Sequence, residues 1–396
     1  MKKFIALSLL VLAPAFTQAS GPGQRRLLVG FADEPGLAER MEALTRIGAR
    51  PIEDIAELGI TVAQIPVGTF TTMADMAAKA GPAVTAIEED VTIQWLSGSG
   101  PRRAPALPGL DEVLSAVPGL SPLVPGPKEV PWGVARVNAP AAWAKTRGQS
   151  VRVAILDTGI DSTHPDLAGK VVECYNALDK KASCADDNGH GTHVAGTIAA
   201  AVDLKGVAGV APGASLVAVK VLDGDGSSSL TSVIKGIIWC GNHNIQVANM
   251  SLGAPTGFIF LRAAVMYAKA KGVVLVAAAG NSGKAVEYPA GYPDVIAVSA
   301  GDPKDRIADF SSRGTKVEFI APGTDILSTV PGGRWEAWDG TSMATPHVAG
   351  LAALAVSRGH QGVAAVRSAL TSAARPLPGL TSSEQGRGLI NASLIK

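Results

Sequence analysis

The stretch VRVAILDTGID, residues 151–161, decides how the rest of the chain is interpreted. Its first six residues are mostly Val, Ile, Leu and Ala, which is typical of a β-strand buried on both faces, and Asp157 follows directly after them. Similar apolar runs recur at residues 215–222, 245–250, 273–278 and 295–299. Patterns typical of helices lie between the runs, at residues 193–202, 230–240 and 260–271. This alternation predicts an α/β fold in which helices cover both faces of a parallel sheet. Functional side chains of such sheets collect at the carboxyl ends of the strands.

Two further segments place reactive side chains where helices begin. NGHGTHVAG, residues 188–196, sets His190 between glycines, and GTSMATPHVAG, residues 340–350, leads Ser342 into a helix. We expect that helix to accept Pro346 near its first turn, where a missing N–H does least harm. A serine hydroxyl becomes a good nucleophile when an imidazole takes its proton, and a carboxylate orients the imidazole. Asp157 and these two residues are the types that this chemistry requires.

A place for a developing oxyanion can also be predicted. The helix start beneath Ser342 offers backbone N–H groups and the positive end of the helix dipole. A second donor is needed opposite, and Asn281 offers a side-chain amide at the end of another strand in VAAAGNSG, residues 276–283. The sequence therefore carries the parts of an acyl-transfer site.

With NMSLG at residues 249–253, these segments resemble the subtilisin-like serine proteases (subtilases, the peptidase S8 family) in their order and approximate spacing. The resemblance covers residues 131–391. It implies that Asp157 orients the imidazole, that His190 is the general base and then the acid, and that Ser342 is the nucleophile. Asn281 and the Ser342 N–H would form the oxyanion hole. Polypeptides would be the substrates, and the chemistry would need no cofactor.

The resemblance also implies where a substrate lies. An extended peptide would pair as a strand with two short segments, which is recognition by β-augmentation. The residues expected on either side of it are Ser251, Leu252 and Gly253, and Gly226 and Ser227. Leu230 and Leu252 would line an apolar pocket a few residues upstream of the cut.

Glu287 departs from the family pattern, because most relatives have a small or neutral residue at the floor of the first specificity pocket. If its carboxylate points inward, charge pairing would favour Lys or Arg before the scissile bond. The alternative is that Glu287 faces solvent on a shortened loop. The sequence leaves both interpretations open.

Metal sites are a separate question. The resemblance implies a structural Ca²⁺ at Asp166 with Asp203 in the loop 201–207, although Lys128 stands where a glutamine often completes that site. Asp166 could equally be a plain turn residue. His190 and His193 are three residues apart, but no third ligand or HExxH pattern accompanies them, so we expect His193 to be a packed helix residue rather than a zinc ligand.

The N-terminal part of the chain has a different organisation. Residues 1–19 combine Lys2 and Lys3 with an apolar run and a small-residue end, which predicts a secretory signal peptide. Residues 20–96 form a small α+β domain that resembles the family's inhibitory propeptide, which we expect to be ferredoxin-like. The Pro-rich residues 97–128 predict an exposed linker that contains the maturation site, and residues 129–396 the catalytic domain.

Composition excludes several classes of protein. The 396 residues carry 35 Lys and Arg against 34 Asp and Glu, a net charge of +1, so the basic footprint of a nucleic-acid binder is missing. Apolar residues make up 47% and charged residues 17%, which allows a large core. No GxGxxG or P-loop pattern follows a predicted strand, which argues against a nucleotide-binding enzyme. We expect neither nucleic acid nor, after signal removal, a membrane as partner.

Three cysteines bear on the compartment. An exported protein permits Cys174 and Cys184 to pair, and the sequence leaves the pairing open, whereas Cys240 on an apolar helix face is expected to be a buried thiol. The sequence as a whole predicts a monomeric, secreted serine endopeptidase, extracellular or periplasmic in a Gram-negative cell. It would be made as a zymogen that processes itself and is inhibited by its own propeptide. The alternative is a catalytically silent peptide-binding homologue of the same family.

Overall fold

The structure is a computed structural model that describes residues 23–32, 36–68, 72–96, 100–101, 130–203 and 206–396. The predicted signal peptide, Lys128 and most of the predicted linker lie outside the described residues. The predicted fold class is confirmed: a mostly parallel sheet lies between helices, and a small α+β domain precedes it. Among the described residues, no helix has the length and apolarity needed to cross a bilayer.

The small domain is a four-stranded antiparallel sheet, in the order β2-β3-β1-β4, with two helices. This is the ferredoxin-like order. The strand β2 was not expected from the sequence, because RPIEDI holds a proline and two acids and is mostly exposed. The elements are β1 (Gln24–Phe31), α1 (Leu37–Arg46), β2 (Arg50–Ile55), β3 (Ile60–Pro66), α2 (Met73–Ala80) and β4 (Val84–Glu89).

The large domain is built on nine strands in the order β17-β18-β14-β13-β12-β11-β7-β9-β8, parallel except for the β17–β18 pair. The bounds are β7 (Arg152–Asp157), β8 (Val171–Asn176), β9 (Ser215–Lys220), β11 (Val247–Met250), β12 (Val274–Ala278), β13 (Ile296–Gly301), β14 (Val317–Pro322), β17 (Ala374–Arg375) and β18 (Leu389–Ile390). Two small antiparallel sheets flank it. In one, β5 (Thr92–Gln94) pairs with β10 (Ser227–Ser229); the other has the order β15-β16-β6, with β15 (Ile326–Val330), β16 (Arg334–Asp339) and β6 (Gly100–Pro101).

Successive residues of the central strand β7 enter two different cores. Val153 and Ile155 pack with α5 (His190–Ala199), α8 (Thr341–Ser357) and α9 (Gly362–Ala373) on one face. Ala154 and Leu156 pack with α6 (Leu230–Asn242) and α7 (Ile259–Ala270) on the other. A strand buried on both faces reads as a continuous apolar run, which is why the sequence could predict it. The helices are α3 (Trp132–Arg136), α4 (Ala139–Ala142), α5 (His190–Ala199), α6 (Leu230–Asn242), α7 (Ile259–Ala270), α8 (Thr341–Ser357), α9 (Gly362–Ala373) and α10 (Ser382–Gln385).

The small domain packs one face of its sheet against α6 and α7. Two of its carboxylates accept hydrogen bonds from the first turns of these helices. Glu88 accepts from the backbone N–H groups of Ile259 at 2.9 Å and Phe260 at 3.2 Å, and Asp90 from that of Thr231 at 2.8 Å. Because the N–H groups of a helix start have no partner within the helix, the two acids satisfy donors that docking would otherwise bury.

Pro346 lies deeper in α8 than the sequence suggested. It is the sixth residue of the helix, beyond the first turn, so it removes an intrahelical hydrogen bond to the carbonyl group of Ser342. That carbonyl oxygen instead accepts the hydroxyl of Ser251 at 2.8 Å. The proline is tolerated because a side chain from another element replaces the missing backbone donor.

The cysteines divide as a pair and a single thiol. Cys174 and Cys184 form a disulfide, which answers the question that the sequence left open. Cys240 is a free and fully buried cysteine on α6, as expected, and burial raises the pKa of its thiol.

Candidate active site

Asp157 and His190 meet where β7 ends and α5 begins. The imidazole Nδ1 donates to Asp157 Oδ1 across 2.8 Å, and both side chains are almost completely buried. With the proton on Nδ1, the lone pair lies on Nε2, which has no hydrogen-bond partner within the described part of the chain. An imidazole in this state can accept a proton.

A network that the sequence analysis missed holds this pair. Asp186 accepts the hydroxyl of Thr158 at 2.8 Å and the backbone N–H of Thr192, also at 2.8 Å. Thr158 in turn donates its backbone N–H to Asp157 and accepts the N–H of Gly191. An acidic residue just before a helix start is the signal that could have revealed Asp186. The first turn of α5 begins at His190, as the segment NGHGTHVAG predicted, three residues before the apolar helical pattern starts.

Ser342 lies in the first turn of α8, directly after the β15–β16 hairpin. Its hydroxyl donates to the carbonyl oxygen of Ser251 at 3.2 Å. Trp338 in β16 has its ring centroid 6.2 Å from that of His190 and stacks on His193 at 4.9 Å. The hairpin thus brings the start of α8 to the start of α5, where His190 lies.

Asn281 is held against the same helix start. Its Oδ1 accepts both the backbone N–H of Thr341 at 2.9 Å and the Thr341 hydroxyl at 2.8 Å. Since the oxygen end of the amide is engaged there, the nitrogen end points to the other side. The Ser342 N–H belongs to the first turn of α8, at the positive end of the helix dipole. Two donors of the predicted type therefore lie at adjacent positions.

The segments expected to bind substrate hold the end of the small domain. Gln94 lies opposite Ser227 in the β5–β10 pair, and the N–H of Trp95 donates to Gly226 O at 3.1 Å. On the other side, the N–H of Gly253 donates to Trp95 O at 3.1 Å. A chain segment is thus bound between the two predicted segments as an added strand.

Trp95 is a site residue that the sequence analysis did not single out. Its side chain is 1% exposed, and its indole N–H donates to Ser228 O at 3.2 Å. It belongs to the same buried cluster as Leu230 and Leu252, the residues expected to line an apolar pocket. A lone tryptophan at the end of a polar strand could have indicated such an anchor.

Glu287 lies inward, between two glycines of the cleft. A Cβ atom on Gly253 would lie 2.6 Å from Glu287 Oε2, and one on Gly280 would lie 2.5 Å from its carboxyl carbon. Burial raises the pKa of Glu287, and a hydrogen bond with Ser282 opposes the rise. Only glycines leave room for this carboxylate beside the strand that precedes Asn281. The solvent-facing alternative is therefore not what the structure shows.

Asp166 is a buried carboxylate with one satisfied oxygen. Oδ2 accepts the N–H of Val207 at 2.8 Å and the indole N–H of Trp335 at 2.7 Å, while Oδ1 has no hydrogen-bond partner among the described residues. Burial raises the pKa of Asp166, and the charge of Asp203 adds to the rise. Gly206, at φ +54°, passes so close that a Cβ would overlap the carboxylate.

The unpartnered Asp166 Oδ1 is one oxygen ligand that the expected Ca²⁺ could use. Within the described ranges, no cluster of three or more His, Cys, Asp or Glu side chains could hold a metal. His193 is a packed residue, as expected: its Nε2 lies 2.9 Å from Ile326 O, and burial lowers its pKa to about 3.

Comparison with known proteins agrees with this geometry. The model of the subtilase family, Peptidase_S8, matches residues 148–388. The chain is 38% identical over 362 residues to M-protease of Shouchella clausii (strain KSM-K16), covering 89% of this chain and 87% of that protein.

Two further relatives match over shorter stretches of the chain. Subtilisin Savinase of Lederbergia lenta is 50% identical over 229 residues, 57% of this chain and 84% of that protein. Subtilisin E of Bacillus subtilis (strain 168) is 46% identical over 271 residues, 67% of this chain and 70% of that protein. The family match and the extended identity agree, and this chain belongs to the subtilase family, as a subtilisin-like serine endopeptidase that acts on polypeptides.

Proposed function

We propose that this protease works through Asp157, His190 and Ser342. In this mechanism Ser342 Oγ attacks the peptide carbonyl carbon while His190 Nε2 takes its proton. The same nitrogen then protonates the departing amine, and water hydrolyses the acyl-enzyme. Asn281 and the Ser342 N–H donate to the carbonyl oxygen as it becomes negative.

One observation supports this assignment above all others. His190 Nδ1 is held by the Asp157 carboxylate at 2.8 Å, and its Nε2 has no partner among the described residues. His193 and His347 also have one unpartnered ring nitrogen, but their other ring nitrogen lies on a backbone carbonyl oxygen. The carboxylate distinguishes His190, because it stabilises the imidazolium that forms when Nε2 takes a proton.

Replacement of the nucleophile tests the proposal. We expect Ser342→Ala to lower kcat on a peptide amide by about 10⁶-fold, the magnitude known for subtilisin itself, with little change in KM. Thermal unfolding of the variant gives the control for folding. A variant that retains a tenth or more of the activity would contradict the proposal, and an inactive wild type with intact peptide binding would favour the silent homologue.

We also propose that the enzyme is exported as a zymogen and acts as a monomer. Residues 1–19 would be removed as a signal peptide, and the small domain would inhibit the enzyme until it is cut away. The support is the strand β5 and Trp95, which lie between the two segments expected to bind substrate. Addition of the separately expressed small domain to mature enzyme should inhibit competitively.

Glu287 supports a preference for Lys or Arg before the scissile bond. Its carboxylate is partly desolvated, and the interactions that affect its pKa include no basic group. A positive substrate side chain would supply the missing partner. We expect an Arg peptide to be cleaved faster than the matched Phe or Leu peptide and Glu287→Gln to lose the difference; equal rates in the wild type would contradict the preference.

A structural Ca²⁺ at Asp166 and Asp203 is our last assignment. Bound there, the ion would neutralise two neighbouring carboxylates and pair with the unsatisfied Asp166 Oδ1. We expect a chelator to lower the melting temperature of Ser342→Ala protein, and Asp166→Asn to abolish this response. Asp161→Asn is the matched control and should keep it. If the melting temperature of the parent protein does not change with Ca²⁺, the assignment is wrong.

A further inference from the structure

Asn249 is a polar residue inside the apolar strand β11, in the middle of the large sheet. Its side chain is 0% exposed, and its neighbours Ala248 and Met250 belong to the core that contains α6 and α7. Val247, two residues earlier, belongs to the core on the opposite face, with α5, α8 and α9. Because side chains alternate between the two faces of a strand, Asn249 points to the face on which α8 lies.

The partner of this amide is Ser251. Asn249 Nδ2 donates to Ser251 Oγ at 2.9 Å, and Ser251 Oγ donates to Ser342 O at 2.8 Å, the carbonyl group that Pro346 leaves without its helical donor. A carbonyl oxygen can only accept, so the one hydroxyl hydrogen of Ser251 has to go to Ser342. Asn249 must then present an N–H to Ser251. The amide therefore sets the direction of the Ser251 hydroxyl.

This orientation leaves the other end of the amide unpaired. Asn249 Oδ1 has no hydrogen-bond partner in the described part of the chain, although it is fully buried. A buried acceptor without a partner lowers the stability of the folded state. Asn176, at the end of β8, differs in this respect: its Nδ2 donates to Ser183 O at 2.8 Å, and its Oδ1 accepts the N–H of Leu178 at 3.0 Å. The amide of Asn249 should therefore contribute less to stability than that of Asn176.

Ser251 and Ser342 are joined in both directions. The Ser342 hydroxyl donates to Ser251 O at 3.2 Å, while the Ser251 hydroxyl donates to Ser342 O. The end of β11 thus holds both the side chain and the backbone of the proposed nucleophile. A displacement of about 1 Å at a reacting group can slow a reaction by about 100-fold, so the precision of this attachment affects the rate.

We propose that Asn249 is a positioning residue for the nucleophile. It directs the Ser251 hydroxyl to Ser342 O and so fixes the first turn of α8 at the position from which Ser342 reacts. This inference rests on the role proposed above for Ser342. Asn249 acts through Ser251 and is not itself a catalytic residue.

Asn249→Leu removes the amide at a similar side-chain size. We expect kcat on a peptide amide to fall by about 10- to 100-fold, with KM within about twofold of wild type, because the nucleophile is displaced. Ser251 also belongs to the segment expected to bind substrate, so the rate of organophosphate labelling of Ser342 is measured as well. Labelling requires no bound peptide and should slow by a similar factor. An unchanged labelling rate, or an effect confined to KM, would overturn the proposal.

A double-mutant cycle tests whether the effect passes through Ser251. Once Ser251→Ala has removed the hydroxyl, Asn249 has nothing left to direct. The double variant Asn249→Leu/Ser251→Ala should therefore label at a rate within about twofold of Ser251→Ala alone. Losses that multiply would show that Asn249 acts by another route and would overturn the proposal. Asn249→Ala provides the same comparison if the leucine variant does not fold.

Asn176→Leu is the matched control, because it makes the same substitution at an amide that is paired at both ends. We expect it to keep kcat and the labelling rate within about twofold of wild type and to lower the melting temperature more than Asn249→Leu does. A similar loss of labelling in both variants would mean general loosening of the fold and would overturn the proposal. If Ser342 of the wild type is labelled and Asn249→Leu is labelled as fast, only this inference fails. If Ser342 of the wild type is not labelled, the proposed function fails as well.

Discussion

The contact on which the proposed chemistry depends is the 2.8 Å hydrogen bond from His190 Nδ1 to Asp157. Asp157 also accepts the backbone N–H of Thr158, and Asp186 accepts the hydroxyl of Thr158. The carboxylate therefore does more than carry charge. It selects the tautomer that leaves Nε2 unprotonated.

Asp157→Asn tests this role at nearly constant shape. An amide can donate to Nδ1, which places the proton on Nε2 and removes the base. We expect kcat near neutral pH to fall by about 10⁴-fold with KM little changed. Burst and steady-state kinetics on an ester substrate measure it. A loss smaller than about tenfold would mean that the orientation of His190 does not depend on Asp157.

Glu287 gives a second prediction at this scale, from its raised pKa. Below that pKa the carboxyl group is neutral and cannot pair with Lys or Arg, so the preference should grow as pH rises above the ordinary carboxyl range of about 4.3. The quantity to measure is kcat/KM for an Arg peptide divided by that for a Leu peptide, from about pH 5 to about pH 9. Any effect of pH that is common to both substrates cancels in this ratio.

The control for this ratio is Glu287→Gln, which has no charge to gain and should give a low, flat profile. A wild-type ratio that falls with rising pH would contradict the inward, partly desolvated carboxylate.

Among the helices and strands, the helix starts hold the residues of the proposed mechanism and the contacts with the small domain. The starts of α5 and α8 hold His190 and Ser342, and those of α6 and α7 receive Asp90 and Glu88 from the small domain. Asp90 also pairs with Arg26 at 2.9 Å, whereas only backbone donors oppose the effect of burial on Glu88. Burial raises the pKa of both carboxyl groups, but only at Asp90 does a basic side chain, Arg26, oppose the rise.

Glu88 makes docking pH-dependent. Burial raises its pKa from 4.5 to about 7 despite the two N–H donors. The docked state thus favours the protonated acid, so docking is strongest below about pH 4.5 and weakens as pH rises to about 7, above which the loss is complete. In uncut Ser342→Ala precursor, we expect the melting temperature of the docked small domain to fall over this window.

In Glu88→Gln, the melting temperature of the docked small domain should fall less over the same pH range. Glu89→Gln is the matched control, because Glu89 pairs with Arg25 at 2.9 Å rather than with α7, and it should behave as the parent does. If the docked small domain becomes more stable as pH rises, the prediction is wrong and ionised Glu88 binds the start of α7 better than the neutral acid does.

For the whole molecule, the sequence could predict what is buried on both faces. β7, β9, β11, β12 and β13 are continuous apolar runs and were expected within about two residues. The β15–β16 hairpin, β2 and β6 were not, because their sequences mix polar, charged and turn residues. Their pairing depends on distant partners such as Trp338 with Pro101.

The candidate site shows the same division. Asp157, His190, Ser342 and Asn281 were predicted from short segments, since the chemistry restricts the residue types. The residues that position them are ordinary in the sequence: Asp186, Thr158 and Thr341 gain their roles only through folding. The placement of Pro346 was misjudged for a similar reason, because its compensation by Ser251 comes from another strand end.

The central claim is that Ser342 is activated by His190 and Asp157. Reaction of the mature enzyme with an organophosphate, followed by mass spectrometry of its peptides, tests it most directly. We expect one adduct per molecule, on Ser342, and loss of that reaction in His190→Ala. No adduct, an adduct on a different serine, or equal labelling in His190→Ala would contradict it.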